Sequence, residues 1–223
     1  MRVPRSLPLL IFDCDGVLID SEVIGCRAEA ACLADAGIAI SADEIIDRYV
    51  GIAMATMLAD LQSRLGRAVP ALPPDFADIM HRAVAAAFET ELLPMPGIVE
   101  LLGALPHRRC VASGSAPERL RQTLSLTGLW DSFDPHIFSA TQVARGKPAP
   151  DLFLFAAGQM GVAAADCMVI EDSVPGVQAA VAAGMRVVGF TGGSHCRPGH
   201  AERLRAAGAA VACLDLRDLP ALL

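Results

Sequence analysis

The chain has 223 residues, a formal net charge of −7, and a composition that is 53% hydrophobic but only 4% aromatic. At this length about 70% of the unfolded chain's surface can be buried on folding, so neither disulfides nor a structural metal is required. The acidic balance and the lack of any basic cluster argue against a nucleic-acid surface and leave any anionic substrate to be held by local chemistry.

The start, MRVPRSLPLLIF, mimics a signal peptide, but its apolar run is too short and Asp13 ends it. The run LPLLIFD reads instead as a first buried strand, and RRCVAS, HIFS, CMVIED, RVVGF and AAVACL read as five more. Helix-length segments separate the later strands. Ser115-Ala-Pro-Glu118 has the pattern of a capping box, and Gly184 stops a helix beginning near Val174. Alternating strand and helix predicts an α/β fold, a Rossmann-like, doubly wound, mostly parallel sheet.

One interval breaks the alternation. About a hundred residues separate the first strand from the second, whereas a βαβ crossover needs about 30. The surplus is helical: Glu22 to Ala36 stopped by Gly37, a capping box at Ser41-Ala-Asp-Glu44, and a further helix from about Pro74, before Pro94, Pro96 and Gly97 mark the return. Residues 20–93 are read as an inserted helical cap, a lid, and residues 1–19 with 94–223 as the core domain. Seven scattered cysteines without a C-x-x-C pair read as reduced thiols, which places the chain in the cytoplasm. No stretch reaches the roughly 18 apolar residues of a membrane span.

Four pieces carry chemistry. Asp13-Cys14-Asp15-Gly16 closes the first strand, where alternation starts both carboxylates on one side, at the sheet end where open α/β folds bind ligands. Glu171-Asp172-Ser173 closes another apolar strand. Three or four converging carboxylates repel one another unless a hard cation joins them, and such a site suits Mg²⁺. Capping of the next helix by Asp172 or Ser173 is the plainer alternative for that pair taken alone. Lys147 is the only lysine, against 17 arginines; a compact ammonium there can neutralise a carboxylate and a phosphate together. Ser113-Gly114-Ser115 ends the second strand, where a hydroxyl and free amides make an anion cradle.

In this order and at these positions, the four pieces resemble the signature motifs of the haloacid dehalogenase superfamily, most specifically in FDCDGVLIDSE. The resemblance spans nearly the whole chain and extends to the inserted cap. It implies a magnesium-dependent phosphatase acting on small phosphorylated metabolites. Asp13 would be the nucleophile and Asp15 the general acid/base, while Ser113, Gly114 and Lys147 would bind the phosphoryl group. Mg²⁺ would be held by Asp13, the backbone carbonyl of Asp15 and Asp172, with Glu171 a further ligand or just behind them. Asp15 speaks against a haloacid dehalogenase, and the lack of a lysine between residues 20 and 93 speaks against phosphonoacetaldehyde hydrolase. The β-phosphoglucomutase type is the nearer alternative, but Gly25 and Met54 stand where it carries His and Arg.

Within the phosphatases, DSEVI together with Asp47-Arg48-Tyr49-Val50-Gly51 looks like the 6-phosphogluconate phosphatase group, with Ser21 and, if it faces the cleft, Arg48 as candidate substrate contacts; such an arginine is more often a solvated charge on a cap helix, Glu22 reads as a cap of the first cap helix, and Ser21 as either contact or cap. Two other classes fit the sequence less well. A non-catalytic phosphate-binding regulatory protein would have no use for the full Asp13, Asp15, Lys147 and Asp172 set. A dinucleotide enzyme would need a G-x-G-x-x-G turn, and DCDGVL has only Gly16. Thr191-Gly-Gly-Ser194 reads as a surface loop, and His195, Cys196 and His200 lack the partner pair expected of a zinc site.

Overall fold

A computed structural model describes residues 7–66 and 72–223; the first six residues of the signal-like start lie outside it. Six strands form one parallel sheet: β1 (Leu9–Phe12), β2 (Arg109–Ser113), β3 (Ile137–Ser139), β4 (Cys167–Glu171), β5 (Arg186–Phe190) and β6 (Val211–Cys213). Their order is β3-β2-β1-β4-β5-β6, so all six predicted strands pair as the α/β reading requires.

Alternation along each strand divides the core in two. Leu10, Phe12, Val111, Met168 and Ile170 face one apolar cluster, and Leu9, Ile11, Cys110, Val169 and Val187 face the other. Both faces are therefore apolar, as a parallel sheet covered on two sides demands. Helices α5 (Ile98–Ala104) and α6 (Pro117–Leu126) cover the first face; α7 (Asp151–Gln159), α8 (Val174–Ala182) and α9 (His200–Ala207) cover the second. The seven cysteines are free. Among the described residues no helix is long and apolar enough to cross a membrane.

Between β1 and α5 run α1 (Glu22–Asp35), α2 (Ala42–Tyr49), α3 (Met54–Leu65) and α4 (Phe76–Glu91). They bury a cluster of their own around Leu33, Ile45, Tyr49, Met57 and Met80. The Ser41 hydroxyl accepts from the Glu44 amide at 3.1 Å, as the capping pattern predicted. Entry and exit run side by side: the Asp20 amide donates to the Leu93 carbonyl and the Met95 amide to the Leu18 carbonyl. This narrow stem sets the helices over the carboxyl ends of the strands, while Val84 and Phe88 of α4, with Leu92 just past its end, reach down into the sheet's own cluster.

The predicted capping box at Ser115–Glu118 does not form. Helix α6 begins at Pro117 with Ala116 as its cap residue and no side-chain cap, because the Ser115 hydroxyl is drawn away to Asp15.

Candidate active site

In the strand order 3-2-1-4-5-6 the connections reverse direction between β1 and β4, which opens a crevice at their carboxyl ends. Asp13 follows β1 and Glu171-Asp172 end β4, so register alone brings them together: Phe12 pairs with Ile170. Lys147 enters from the loop before α7. Its ammonium lies 2.9 Å from Asp13 Oδ1 and 2.7 Å from Glu171 Oε2. Glu171 is fully buried, and its Oε1 accepts from the amide and the hydroxyl of Ser173 at 2.9 and 2.8 Å. Both its oxygens are thus committed to fixing Lys147 and the turn into α8. Ser173 caps that helix by accepting from the Gly176 amide, so the capping alternative holds for Ser173 and leaves Asp172 free.

Ligand oxygens of Asp13, Glu171 and Asp172 all lie within 4.8 Å of one another. Burial and the neighbouring Glu171 charge push the carboxyls of Asp13 and Asp172 well above the usual range, with Lys147 opposing. Burial weakens the Lys147 ammonium, but Asp13 and Glu171 outweigh it and raise its pKa. Three carboxylates against one ammonium leave two negative charges if all ionise. Two buried oxygens, Asp13 Oδ1 and Asp172 Oδ2, have no aligned hydrogen-bond donor; the Lys147 ammonium sits at ion-pair distance from the first but out of line. Hard, unsatisfied oxygens with a two-charge deficit fit one divalent cation of the Mg²⁺ type.

Asp15 faces elsewhere. The strand ends at Phe12 and the chain turns through Gly16 at φ +76, so strand alternation does not carry both acids to one spot. Asp15 Oδ1 accepts from the Ser21 hydroxyl at 2.7 Å and from Arg119 at 2.9 Å, and Oδ2 accepts from the Ser115 hydroxyl at 2.6 Å. Burial would raise its pKa, but Arg119 and the two hydroxyls prevail and hold it below the usual range. Its side chain is therefore kept off the cation cluster. Ser113 is buried at the end of β2, its Oγ accepting from the Ser115 amide at 3.1 Å. No atom lies within 4 Å of where a Gly114 side chain would begin, so that backbone is open to a ligand.

These residues floor a cavity of about 790 Å³ whose roof is formed by the helical insertion, including Glu22, Glu29, Tyr49, Met54 and Phe88. Ser113, Gly114, Lys147, Asp13, Asp15 and Asp172 line it; Arg48 does not. Arg48 pairs with Glu44 one turn back at 3.2 Å, its side chain 52% exposed. Of the two readings of Arg48, the substrate contact is corrected and the solvated helix charge holds: it lies on the solvent face of α2. Ser21 is buried and spends its hydroxyl on Asp15 rather than on α1, which has no side-chain cap. Glu22 lines the cavity rather than capping.

Arg119 was not singled out from sequence. It joins the two halves, bonding Asp15 while its guanidinium stacks 4.9 Å from the Phe88 ring. One turn into α6 it looks like any surface arginine; only the pairing of α6 with α4 gives it a role. His195 was set aside, yet it is buried, with Nε2 3.0 Å from Asp172 Oδ2.

A sequence model described as haloacid dehalogenase-like hydrolase matches residues 7–184. Among characterised proteins, the chain is 31% identical over 189 residues to a 6-phosphogluconate phosphatase of Escherichia coli, covering 85% of each. It is 33% identical over 192 residues to hexitol phosphatase B of the same species, covering 84% of this chain and 85% of that one. Among solved structures, a haloacid dehalogenase-like protein of unknown function from Agrobacterium tumefaciens superposes with a TM-score of 0.87 at 40% identity, covering 97% of both chains. A family hydrolase from Deinococcus radiodurans, determined with phosphate and sodium bound, superposes at 0.79 with 34% identity, covering 97% and 96%.

Proposed function

Because the chain belongs to the haloacid dehalogenase-like hydrolases, we propose that it is a Mg²⁺-dependent phosphatase that passes the phosphoryl group of a neutral sugar or sugar-alcohol phosphate through Asp13. The coarser statement stands on its relatives: it is a phosphoric monoester hydrolase of the sugar-phosphate kind. The observation that carries the finer reading is the pairing of Lys147 with Asp13 beside the Asp13–Glu171–Asp172 cluster.

The division of labour follows from the geometry. Asp13 must be ionised to attack, and a cation held by Asp13, Asp172 and the Asp15 carbonyl, with Glu171 behind through Lys147, would supply the positive charge that keeps it so. An Asp13 oxygen attacks phosphorus, forming an aspartyl phosphate and breaking the bond to the leaving oxygen. Lys147, the Ser113 hydroxyl and the open Gly114 backbone hold the phosphoryl oxygens as charge shifts onto them. To act as the acid, Asp15 would part from Arg119 and take up a proton from solvent; it then delivers that proton to the leaving oxygen and later takes one from the water that frees Asp13. The helical insertion excludes bulk water during these steps, acting as a cap.

The substrate class rests on the roof and walls. Glu22, Glu29 and Glu118 line the cavity beyond the phosphoryl site, and its fixed cations, Lys147 and Arg119, are each already paired with a carboxylate. Among the described lining residues a second anionic group meets no unpaired lysine or arginine, only His81, whereas hydroxyls pair readily with carboxyl groups. This favours a leaving group like that of the hexitol phosphatase over a sugar acid. The β-phosphoglucomutase alternative is not favoured: Gly25 and Met54 line the cavity where that reading needs His and Arg.

The test is phosphate release from a panel of hexitol phosphates, hexose phosphates and 6-phosphogluconate, each with magnesium and with chelator. The expected result is magnesium-dependent turnover with kcat/KM for a neutral substrate at least about tenfold above that for 6-phosphogluconate, the ratio one buried ionic mismatch produces. Preference for 6-phosphogluconate would reject the substrate class; chelator-insensitive turnover would reject the cation.

A further inference from the structure

The loop after β5, Thr191 to His200, does no work in the reaction above, yet it closes tightly around one of the proposed cation ligands. His195 is 3% exposed, and its Nε2 lies 3.0 Å from Asp172 Oδ2. His200 Nε2 lies 2.6 Å from the Asp172 carbonyl. A carbonyl only accepts, so that nitrogen carries the proton, and the other ring nitrogen is left to accept from Arg203 at 3.0 Å. One residue is thus gripped at its carboxylate by one imidazole and at its backbone by another.

The slot is shaped for this. A side chain beginning at Gly16 would come within 2.0 Å of Asp172 Oδ2 and 2.9 Å of the His195 ring, and one at Gly193 within 2.7 Å of the same ring. The loop is also pegged at two points to the other half of the molecule. The Ser194 amide and hydroxyl donate to Asp20 Oδ1 in the stem at 3.0 and 2.8 Å, and Arg197 pairs with Asp43 at the start of α2. A histidine present only for packing would satisfy its polar atoms; His195 Nδ1 is buried with no partner.

We propose that His195 is a positioning residue for Asp172: it holds Oδ2 so that the carboxylate meets the cation in one orientation, and the 193–200 loop keeps the imidazole in place. The inference rests on the reading that Asp172 holds a divalent cation. Ligating carboxylates are regularly oriented by such neighbours, whose loss costs about 10–100-fold in metal affinity. Nε2 is at ion-pair distance from Oδ2 without being aligned for a hydrogen bond, and its other polar neighbour is Cys196 Sγ at 3.5 Å.

His195, Cys196 and His200 also place one donor atom each within 4.8 Å of the others. A metal there would take one nitrogen of His200 from its partner, either the Asp172 carbonyl or the Arg203 guanidinium, and would sit close to that cationic side chain. The loop is therefore read as a clamp and not as a metal site of its own.

The experiment is a thermal-shift titration with Mg²⁺ in the absence of substrate, in which the dependence of the melting temperature on cation concentration gives the affinity without any turnover. The wild-type chain is expected to bind one Mg²⁺, with the stoichiometry checked by titration, and Asp172→Asn to abolish the shift. His195→Ala is expected to weaken binding about 10–100-fold, while kcat at saturating Mg²⁺ stays within about threefold. His195→Gln, whose amide reaches the same position as Nε2, recovers most of the affinity. Ser194→Ala weakens it in the same direction by a smaller factor and serves as the readout if His195→Ala melts below the working range.

Unchanged affinity in His195→Ala overturns the proposal, as does a Gln variant no better than Ala. A second bound cation lost on Cys196→Ser would make the loop a metal site instead. No Mg²⁺ binding by the wild type would remove the cation reading itself, an outcome distinct from failure of the clamp alone.

Discussion

The sheet half and the helical insertion contribute to one cavity by different means. On the sheet side, each acid or lysine is held by geometry that a parallel sheet imposes: Asp13 and Glu171 end neighbouring strands in fixed register, and Lys147 is tied between them at 2.9 and 2.7 Å. On the insertion side, the cavity is lined by helix faces. Glu22, Cys26 and Glu29 lie on one stripe of α1, spaced as residues sharing a helical face must be. The first arrangement fixes atoms to fractions of an ångström and suits bond-breaking. The second sets a surface that a few substitutions can retune without disturbing the chemistry below.

Asp13→Asn tests the sheet side with the largest expected effect. The amide retains shape but cannot attack phosphorus, and removal of a nucleophile from a cooperating set costs on the order of 10⁴-fold or more in kcat. Single-turnover assays with p-nitrophenyl phosphate, a substrate too simple to engage the roof, should show this loss in full. Retention of more than about a tenth of the rate would break the assignment of Asp13, and with it the contrast between a reacting floor and a selecting roof.

This contrast also decides what was legible in the sequence. The floor could be read because acids at the ends of apolar runs are costly without partners and because strand ends converge by topology. The exception is instructive: Asp13 and Asp15 were expected on one side, but the turn at Gly16 sends Asp15 to Ser21, Ser115 and Arg119. Those partners come from two segments far apart in the chain that share no local pattern, so nothing in the sequence couples Arg119 to Asp15 across 104 residues. On the roof, Glu22 and Glu29 sit on the face of α1 that turns inward, where a sequence reading expects apolar residues. Their inward position is a consequence of α4 packing beside α1, which no motif records.

Glu29→Gln tests the roof and should have a middle-sized effect. Burial pushes the Glu29 carboxyl from its ordinary value of 4.5 up to about 7, with Arg119 opposing. An acid with a raised folded-state pKa favours the protonated native form, so its penalty on stability is absent below pH 4.5, grows as pH rises, and is complete above about pH 7. The Gln variant should therefore melt at the wild-type temperature near pH 4.5 and above it at pH 8. For a hexitol phosphate, loss of one carboxyl contact should raise KM about 2–10-fold, while p-nitrophenyl phosphate turnover remains unchanged. An equal loss on both substrates would place Glu29 in the chemistry and erase the division between floor and roof.

The smallest effect is expected from Arg48→Ala, and it sharpens the comparison because Arg48 and Tyr49 are adjacent in sequence. Successive helix positions are turned by about 100°, enough to separate solvent from cavity. Tyr49 lines the cavity, its hydroxyl donating to Asp60 at 2.5 Å and accepting from Arg64 at 2.8 Å. Among the described residues Arg48 pairs with Glu44 alone, a turn away on the open side. An exposed pair of this kind contributes about 0.3–0.5 kcal/mol, so the melting temperature should fall by no more than a degree or two. Because Arg48 touches no part of the cavity, kcat/KM for every member of the substrate panel should stay within about twofold of wild type. A loss confined to 6-phosphogluconate and exceeding tenfold would mean that α2 rolls during turnover to carry Arg48 inward. Selection on the roof would then depend on a closed arrangement whose charges differ from those seen here, and the argument for a neutral leaving group would fail at that point.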